Sequence, residues 1–511
     1  MFEHSILGKL PAFLRLLCEI IAHSATYRAL SRVWHAIVNC AKSSAVFGFL
    51  FRDGCWNEAV SHSVVISFLQ KVLDKLFSAL QKCYHKMHDA LADSLLGRFF
   101  ARIYCHHWSA HPVIWLGLFV LAMLIVPHDY WANSYAFLGG LAFVALWVGL
   151  MIAKKREVFQ ISRLGVPFYA FAACCVLGVL RASETGDAIR VFIFFLTAFL
   201  LYSLVVTEVD GEEKLHRLLG FLLVGVFVTA LYGFYQRIVG VEIDASLTDV
   251  NLNSSMPGRV FSTFENPNNY AELLVLTLPL CFVFCTQVKN RGLKLLSFGM
   301  LACAFVVLLM TYSRSCWVSF AIAAMVFVFL YDKRLLPLVL LVGVAAIPFL
   351  PESIMDRILT IGSQSDTSNA YRIYIWEAVL EMIQGDWFTG IGLGPESFKK
   401  IYIQFADPYA ITAPHSHMLY LEIWVELGLV GLLAFFWFMV DLLRSAVRTA
   451  KRTINTYSKH VLYACVAAFS GIAFSCAAEY IWFYPRVLFA FFLVAGILKA
   501  TLHMNKKELL Q

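Results

Sequence analysis

Charge is scarce in this chain. Asp, Glu, Lys and Arg make up 15% of its 511 residues, well below the roughly 25% usual in soluble domains, and that shortage excludes an ordinary soluble enzyme. Glycine (29) and proline (14) are too sparse for a fibrous or low-complexity chain. A mean hydropathy of +0.71 excludes wholesale disorder, which requires low hydrophobicity. The 13 cysteines form no disulfide framework; most sit inside apolar runs such as Ala172-Ala173-Cys174-Cys175, where sulfur behaves as a small hydrophobe and says little about redox compartment. What is abundant is apolar surface: 60% of the residues are hydrophobic and 15% aromatic. An integral membrane protein is the class that remains.

A membrane-crossing helix needs about 20 predominantly apolar residues. The chain offers about 12 such segments, near 113–127, 135–153, 166–181, 190–206, 217–235, 270–287, 294–310, 315–331, 335–350, 418–442, 459–481 and 484–502. They are apolar all round and far longer than the alternating strands of a membrane barrel, so the expected fold is all-α and polytopic. The net charge of +7 matters less than where the basic residues fall. One alternating assignment puts basic residues in every inner loop: Lys154-Lys155-Arg156 with Arg163, Lys214 to Arg217, Lys289 to Lys294, Lys333-Arg334, Arg444 to Lys459, and Lys506-Lys507. Both termini are then cytoplasmic. The outer segments are 128–134, 182–189, 236–269, 311–314, 351–417 and 481–484, and the large external loop between spans nine and ten, 351–417, is net acidic.

Residues 1–110 read as a cytoplasmic amphipathic helical extension of a transmembrane domain at 111–505. Val64 to Leu76 shows helical apolar spacing with interspersed Lys, suited to a helix lying on the inner leaflet or packed beneath the bundle. Lys9, Arg15 and Glu19 interrupt Met1 to Ala25, so no cleavable signal peptide is expected. The run from Cys83 to His88 invites a metal reading, but no second Cys/His pair with zinc-finger spacing follows, and surface histidines on an interfacial helix explain it better.

Four polar clusters stand where an outer segment meets a span. Gly258 to Asn269 contains Arg259 and Asn266-Pro267-Asn268; the Asn-Pro-Asn suits a capped helix start, which leaves Arg259 unexplained. Thr311 to Ser315 is so tight a turn that Arg314 must lie at the outer surface, anchoring or snorkelling if it has no chemical role. Asn369 to Ala378 predicts an amphipathic helix from Tyr371 with Tyr371, Ile375 and Ala378 on one face. Arg372 is electrostatically out of place near its start, so it either binds an anion or pairs with Glu377 or another carboxylate. The Gly390 to Gly394 run follows no strand, which argues against a dinucleotide loop. Pro414 to Glu422 carries His415 and His417, spaced so that they would not share a helix face; a general base suits them better than a metal site. Arg259, Arg314, Arg372, His415 and His417 thus fall at one membrane face. Arginine stays charged and its planar fork fits phosphate oxygens, so three of them suggest a pyrophosphate cradle for a lipid carrier.

At these residues the chain resembles the O-antigen ligase / O-antigen polymerase superfamily of membrane glycosyltransferases, over roughly 170–445. The parts are the Arg259 to Asn268 stretch, Tyr312-Ser313-Arg314, Arg372 to Trp376 with Gly390 to Gly394, and the histidine motif before span ten. The family pattern is a His, a small polar residue, nine residues and a Gly; His417 to Gly428 fits, whereas counting from His415 lands on Glu426. Met418 departs from the polar residue usual there, a loss that His415 or Ser416 would have to offset. The resemblance implies an inverting, metal-independent transfer of a glycan from undecaprenyl diphosphate to an acceptor hydroxyl, on the outer face of a bacterial cytoplasmic membrane. His417 is then the base and Arg314, Arg372 and Arg259 hold the diphosphate, with His415, Ser416 and Asn268 in support. No cofactor is implied, and the partners are the carrier-linked glycan, a glycan, lipid A-core or protein acceptor, and membrane lipid, with no nucleic acid. The family also contains chains described as bicarbonate transporters, so transport of bicarbonate or another small anion is the alternative. A transporter should carry ionisable residues near the bilayer midplane of repeated halves, but no repeat is evident here and Glu272 and Glu422 lie near span ends. A non-catalytic partner would leave the arginines and histidines without a purpose.

Overall fold

The computed structural model describes residues 63–92, 94, 95, 97, 98, 111–154, 159–240, 258–349, 351–359 and 367–508. Most of the expected 1–110 extension, the outer stretch 241–257 and the basic pair Lys155-Arg156 lie outside the described residues. Among the described residues all regular structure is helical. The chain is an all-α polytopic membrane protein. After α1 (Val64–Ala92) come α2 (Pro112–Ile125), α3 (Asn133–Lys154), α4 (Val166–Arg181), α5 (Thr185–Glu208), α6 (Glu212–Val239), α7 (Pro267–Gln287), α8 (Arg291–Met310), α9 (Arg314–Asp332) and α10 (Leu336–Ala346). Three shorter or amphipathic helices follow, α11 (Glu352–Leu359), α12 (Thr367–Asp386) and α13 (Pro395–Tyr402), and the chain closes with α14 (Leu419–Arg452), α15 (Thr456–Ser475) and α16 (Pro485–Glu508).

A helix occupies each of the twelve segments expected to span. Seven of them, α3, α5, α6, α7, α8, α14 and α16, are long and apolar enough to cross a membrane by themselves, and α2 and α4 are shorter apolar helices. Two outlines differ from the expectation. The ninth segment is helical only over Leu336–Ala346 and tightens into a 3-10 turn at Ile347–Phe349, where Pro348 supplies no backbone N–H to continue the ladder. The eleventh stops at Ser475 although apolar residues continue to Ile481. The N–H groups of Ala478 and Glu479 both bond back to the Ser475 carbonyl, a tight turn that swings Glu479 out of the helix line.

Lipid tails are as apolar as the side chains, so packing rather than water exclusion holds such helices together. α7 and α16 are enclosed along most of their lengths, whereas α3 and α8 lie at the periphery. α15 packs on α9 and α7, α5 on α16, α4 on α14, and α2 on α6. An aromatic cluster joins α4, α5, α14 and α16: Phe168 stacks on Tyr202 at 4.7 Å between ring centres, Phe199 meets Phe492 at 5.1 Å, and Trp482 meets Phe435 at 5.3 Å. α1 is fastened by glutamines, Gln70 donating to the Phe159 carbonyl while accepting from Ile161 N–H, and Gln81 donating to the Met151 carbonyl.

One break in a long helix orders the elements at one end of the bundle. α14 is interrupted at Gly428, with φ +70° and ψ −177°, a conformation open essentially to glycine alone. The break strands carbonyls, and the Gly390 to Gly394 run takes them up: Ile391 N–H donates to the Val425 carbonyl at 2.8 Å and Gly392 N–H to that of Glu426 at 3.1 Å. Leu429 N–H turns instead to the Trp387 carbonyl at 2.9 Å. The glycine-rich run is therefore a strap docked on a kink. Its glycines are obligatory because the backbones nearly touch; a Cβ at Gly428 would lie 2.2 Å from the Phe388 oxygen, and one at Gly390 2.5 Å from the Gly428 nitrogen. Gly428→Ala is expected to destabilise by about 1–3 kcal/mol from backbone strain alone, with the clash adding to it. Thermal unfolding of the purified full chain in detergent checks this, a melting temperature unchanged from wild type being the contrary result.

Candidate active site

Five segments meet at one end of the bundle: residues 258–268, the turn 311–313, the start of α12, residues 411–418, and the turn after α15. Asn266 caps α7 by accepting from Asn268 N–H, with Pro267 at the first helical position. The preceding loop is pinned from α6, where Gln236 accepts from Ser262 N–H at 2.7 Å and donates to the Ser262 carbonyl at 3.0 Å. Ser262 also donates to the Thr229 carbonyl. Arg259, buried, donates from Nε to the Thr311 carbonyl at 2.9 Å and from Nη2 to Oδ1 of Asn268. Val260 N–H reaches the Met310 carbonyl, so the loop and the turn before Arg314 form one unit. Arg314 is the first residue of α9, and Arg357 of α11 donates to the Tyr312 carbonyl of the same turn at 3.4 Å.

The centre of the arrangement is Glu479. Arg372 donates from Nη2 to its Oε1, and Asn268 Nδ2 donates to the same oxygen at 3.2 Å. The His417 ring turns Nδ1 toward Oε2 at 3.8 Å, beyond hydrogen-bond range, and that buried nitrogen has no hydrogen-bond partner. A chain of contacts thus runs from Arg259 through Asn268 and Glu479 to Arg372, with His417 beside it. Arg372 pairs with Glu479, a residue 107 positions away, and not with Glu377. Tyr371, Ile375 and Ala378 do share the buried face of α12, together with Val379 and Met382.

His417 adopts a left-handed backbone, φ +52°. Its N–H donates to Nδ1 of His415 at 3.1 Å, which fixes His415 as an acceptor at that nitrogen. Ser416 braces the loop by donating from its N–H to Glu422 at 2.6 Å and from Oγ to the Met418 carbonyl, while its own carbonyl accepts from Trp376. His415 and Ser416 thus supply polar contacts beside Met418. Among the described residues the non-glycine positions with left-handed backbone are Ser262, Tyr312 and His417, one in each of three site segments. Such strain persists only where surrounding contacts over-determine it. No group of three or more His, Cys, Asp or Glu side chains gathers as a metal site among the described residues.

The charges respond to one another. Burial, then Arg357, and also Arg314 push the Arg259 guanidinium down to about 9, against the pull of Glu479, so it stays charged at neutral pH. Burial drives His415 well below the usual imidazole range, reinforced by His417 and Arg372, which leaves it neutral. Burial raises the Glu479 carboxyl, but Arg372, His417 and Arg259 outweigh it and hold it below the usual carboxylate range. Arg259 and Arg372 thus share one buried carboxylate that their own charges keep ionised.

All of Arg259, Arg372, Asn268, His415, Ser416 and His417 come together, and Arg314 lies close enough for its charge to press on Arg259. The sequence reading passed over Glu479, Arg357 and Gln236. Glu479 was hidden inside an apolar run; a lone carboxylate between Ala478 and Tyr480 at the edge of a span was the available signal. Arg357 was visible only as a loop charge, and Gln236 carried no pattern at all.

Residues 299–436 match the O-antigen ligase family, a stretch that runs from α8 into α14 and holds Arg314, Arg372, His415, Ser416 and His417. The chain is a multi-pass membrane protein in which this stretch is similar to the O-antigen ligase family. It is similar to the ComP-specific O-oligosaccharyltransferase of Acinetobacter baylyi (strain ATCC 33305 / BD413 / ADP1), with 23% identity over 367 residues, which is 67% of this chain and 63% of that protein. The chain therefore spans less than two thirds of that relative's length.

Because the folded carboxyl of Glu479 is depressed, its contribution to stability is present above the unfolded-state value of about 4.3 and is lost as pH falls through the lower folded value. Melting temperature measured in nanodiscs on either side of this window should fall on acidification in wild type, and Glu479→Gln should flatten the acid end of that profile.

Proposed function

We propose that this protein is a membrane glycosyltransferase that moves a glycan from undecaprenyl diphosphate to an acceptor hydroxyl on the outer face of the bacterial cytoplasmic membrane. The observation that carries this reading is the cationic cluster of Arg259, Arg314 and Arg372 beside a strained, partly buried histidine, on segments scattered over about 160 residues of sequence. The O-antigen ligase match over 299–436 and the oligosaccharyltransferase relative support the same class of reaction.

In this mechanism the arginines bind the donor diphosphate, whose charge grows as it leaves; guanidinium forks suit both the ground state and the departing anion. His417 accepts the proton of the acceptor hydroxyl at Nε2. The hydroxyl oxygen forms a bond to the anomeric carbon as the bond from that carbon to the diphosphate oxygen breaks. The configuration inverts, undecaprenyl diphosphate leaves with the bonding electrons, and the proton rests on His417 until water removes it. No metal is required, because fixed cations and a base supply both halves of the chemistry. Residues 351–417 serve as the external catalytic loop of the 111–505 domain, and both termini lie in the cytoplasm. The acceptor is a lipid A-core, a second carrier-linked repeat or a polypeptide.

The test is transfer by the purified full chain in nanodiscs from an undecaprenyl-diphosphate-linked oligosaccharide, offered these three acceptors in turn. Wild type should transfer to one of them. His417→Ala should lower kcat by about a hundredfold or more, the scale of a lost general base, and Arg314→Ala should weaken transfer with its melting temperature retained. Absence of transfer to all three acceptors by folded wild type would overturn the reading.

A further inference from the structure

Glu479 is buried, ionised and central, yet the transfer mechanism above gives it no task. Its Oε1 is held by Arg372 and Asn268, while its Oε2 faces the His417 Nδ1 across 3.8 Å. Everything else about the imidazole is already fixed. The backbone is held left-handed by the bond to His415, the His415 ring lies 4.2 Å away centre to centre, and the Tyr371 ring packs edge-on at 6.0 Å. The backbone of Glu479 is fixed too, its carbonyl accepting from Leu419 N–H at 3.2 Å, two residues beyond His417. What is left open is one buried ring nitrogen without a partner and one carboxylate about 1 Å too far to serve it.

We propose that Glu479 is a positioning residue gated by the donor: it stands in for the diphosphate on Arg372 when the site is empty, and turns to hydrogen-bond the His417 Nδ1–H once the diphosphate takes Arg372 from it. The inference rests on the donor reading of the previous subsection. The chemistry of the two anions makes the exchange favourable in one direction. A diphosphate offers Arg372 more charge and more acceptor oxygens than a single carboxylate does. Displaced from its guanidinium partner, Glu479 would keep the Asn268 amide on Oε1 but lose its direct cation, and the donor that faces its other oxygen is the imidazole N–H. That bond selects the tautomer with Nε2 free, the nitrogen that must accept the acceptor's proton, and stabilises the imidazolium that results. The proton remains on the imidazole and none passes to Glu479. Activation of the base thereby depends on a bound donor, which keeps an acceptor or water from finding an active base in an empty site.

The experiment separates binding from turnover, using the full chain in nanodiscs, undecaprenyl diphosphate without glycan as the binding probe, and the oligosaccharide-linked carrier for transfer. Glu479→Gln keeps the shape and removes the competing charge. It should bind undecaprenyl diphosphate about fivefold tighter than wild type, yet transfer with kcat lowered by at least about tenfold and with no rise in donor KM. Glu479→Asp, which retains the charge, should recover part of the lost kcat. Both are checked for an unchanged chromatographic profile and melting behaviour at neutral pH, and the Asp variant carries the test if the Gln variant does not fold. Wild-type kcat in Glu479→Gln, or weaker binding together with an unrescued loss in Glu479→Asp, would overturn the inference while leaving the transferase reading in place. Failure of folded wild type to bind undecaprenyl diphosphate and to transfer would overturn both.

Discussion

A single buried carboxylate sets the order of this site. Arg259, Arg314, Arg357 and Arg372 are like charges gathered at one end of a bundle whose interior offers little solvent to screen them. Glu479 is the carboxylate that ties two of them together, bonded to Arg372 directly and to Arg259 through Asn268. Because a buried ion needs both a partner and hydrogen bonds, the segments that carry those partners are drawn together even though they lie at 259, 268, 372 and 479 in the chain. His417 is placed relative to that carboxylate.

The scaffold beneath tolerates strain because it is stiff. In lipid the helices gain from close contact between rings and small residues, as in the cluster around Phe168, Tyr202, Phe492 and Trp482. On that base Gln236 can hold Ser262, and His415 can hold His417, in left-handed backbone. The strap at 387–394 does comparable work for α14: it satisfies the carbonyls that the Gly428 break exposes, and in doing so fixes the first part of the helix that follows the histidines. The spacing from His417 to Gly428 is the stretch between the left-handed histidine and the kink.

The O-antigen ligase match includes Arg314, Arg357, Arg372 and the histidine loop, but it stops before the turn that carries Glu479 and begins after Arg259 and Asn268. The site is wider than the matched stretch, and its two flanks are tied to it by the bonds through Asn268 and Glu479. The similarity to an oligosaccharyltransferase covers a broader share of the chain at low identity.

Twelve helical segments were legible from apolar run length, because in a membrane the backbone has no alternative to satisfying itself within the helix. Arginines and histidines at span ends stood out because charge is rare in this chain, and Asn266-Pro267 announced a capped helix start. Hydropathy could not see that α15 ends at Ser475, since Ala477 and Ala478 are as apolar as what precedes them. Nor could it say that the glycines at 390–394 serve a kink near 428, or that Arg372 would choose Glu479 over the nearer Glu377. The sequence by itself determined which stretches are helical and which residue types gather at their ends, because those follow from local composition. Only the tertiary structure decided which charge meets which, because a buried ion pair is chosen by the fold that removes both partners from water, and nothing in the linear order of residues records that choice.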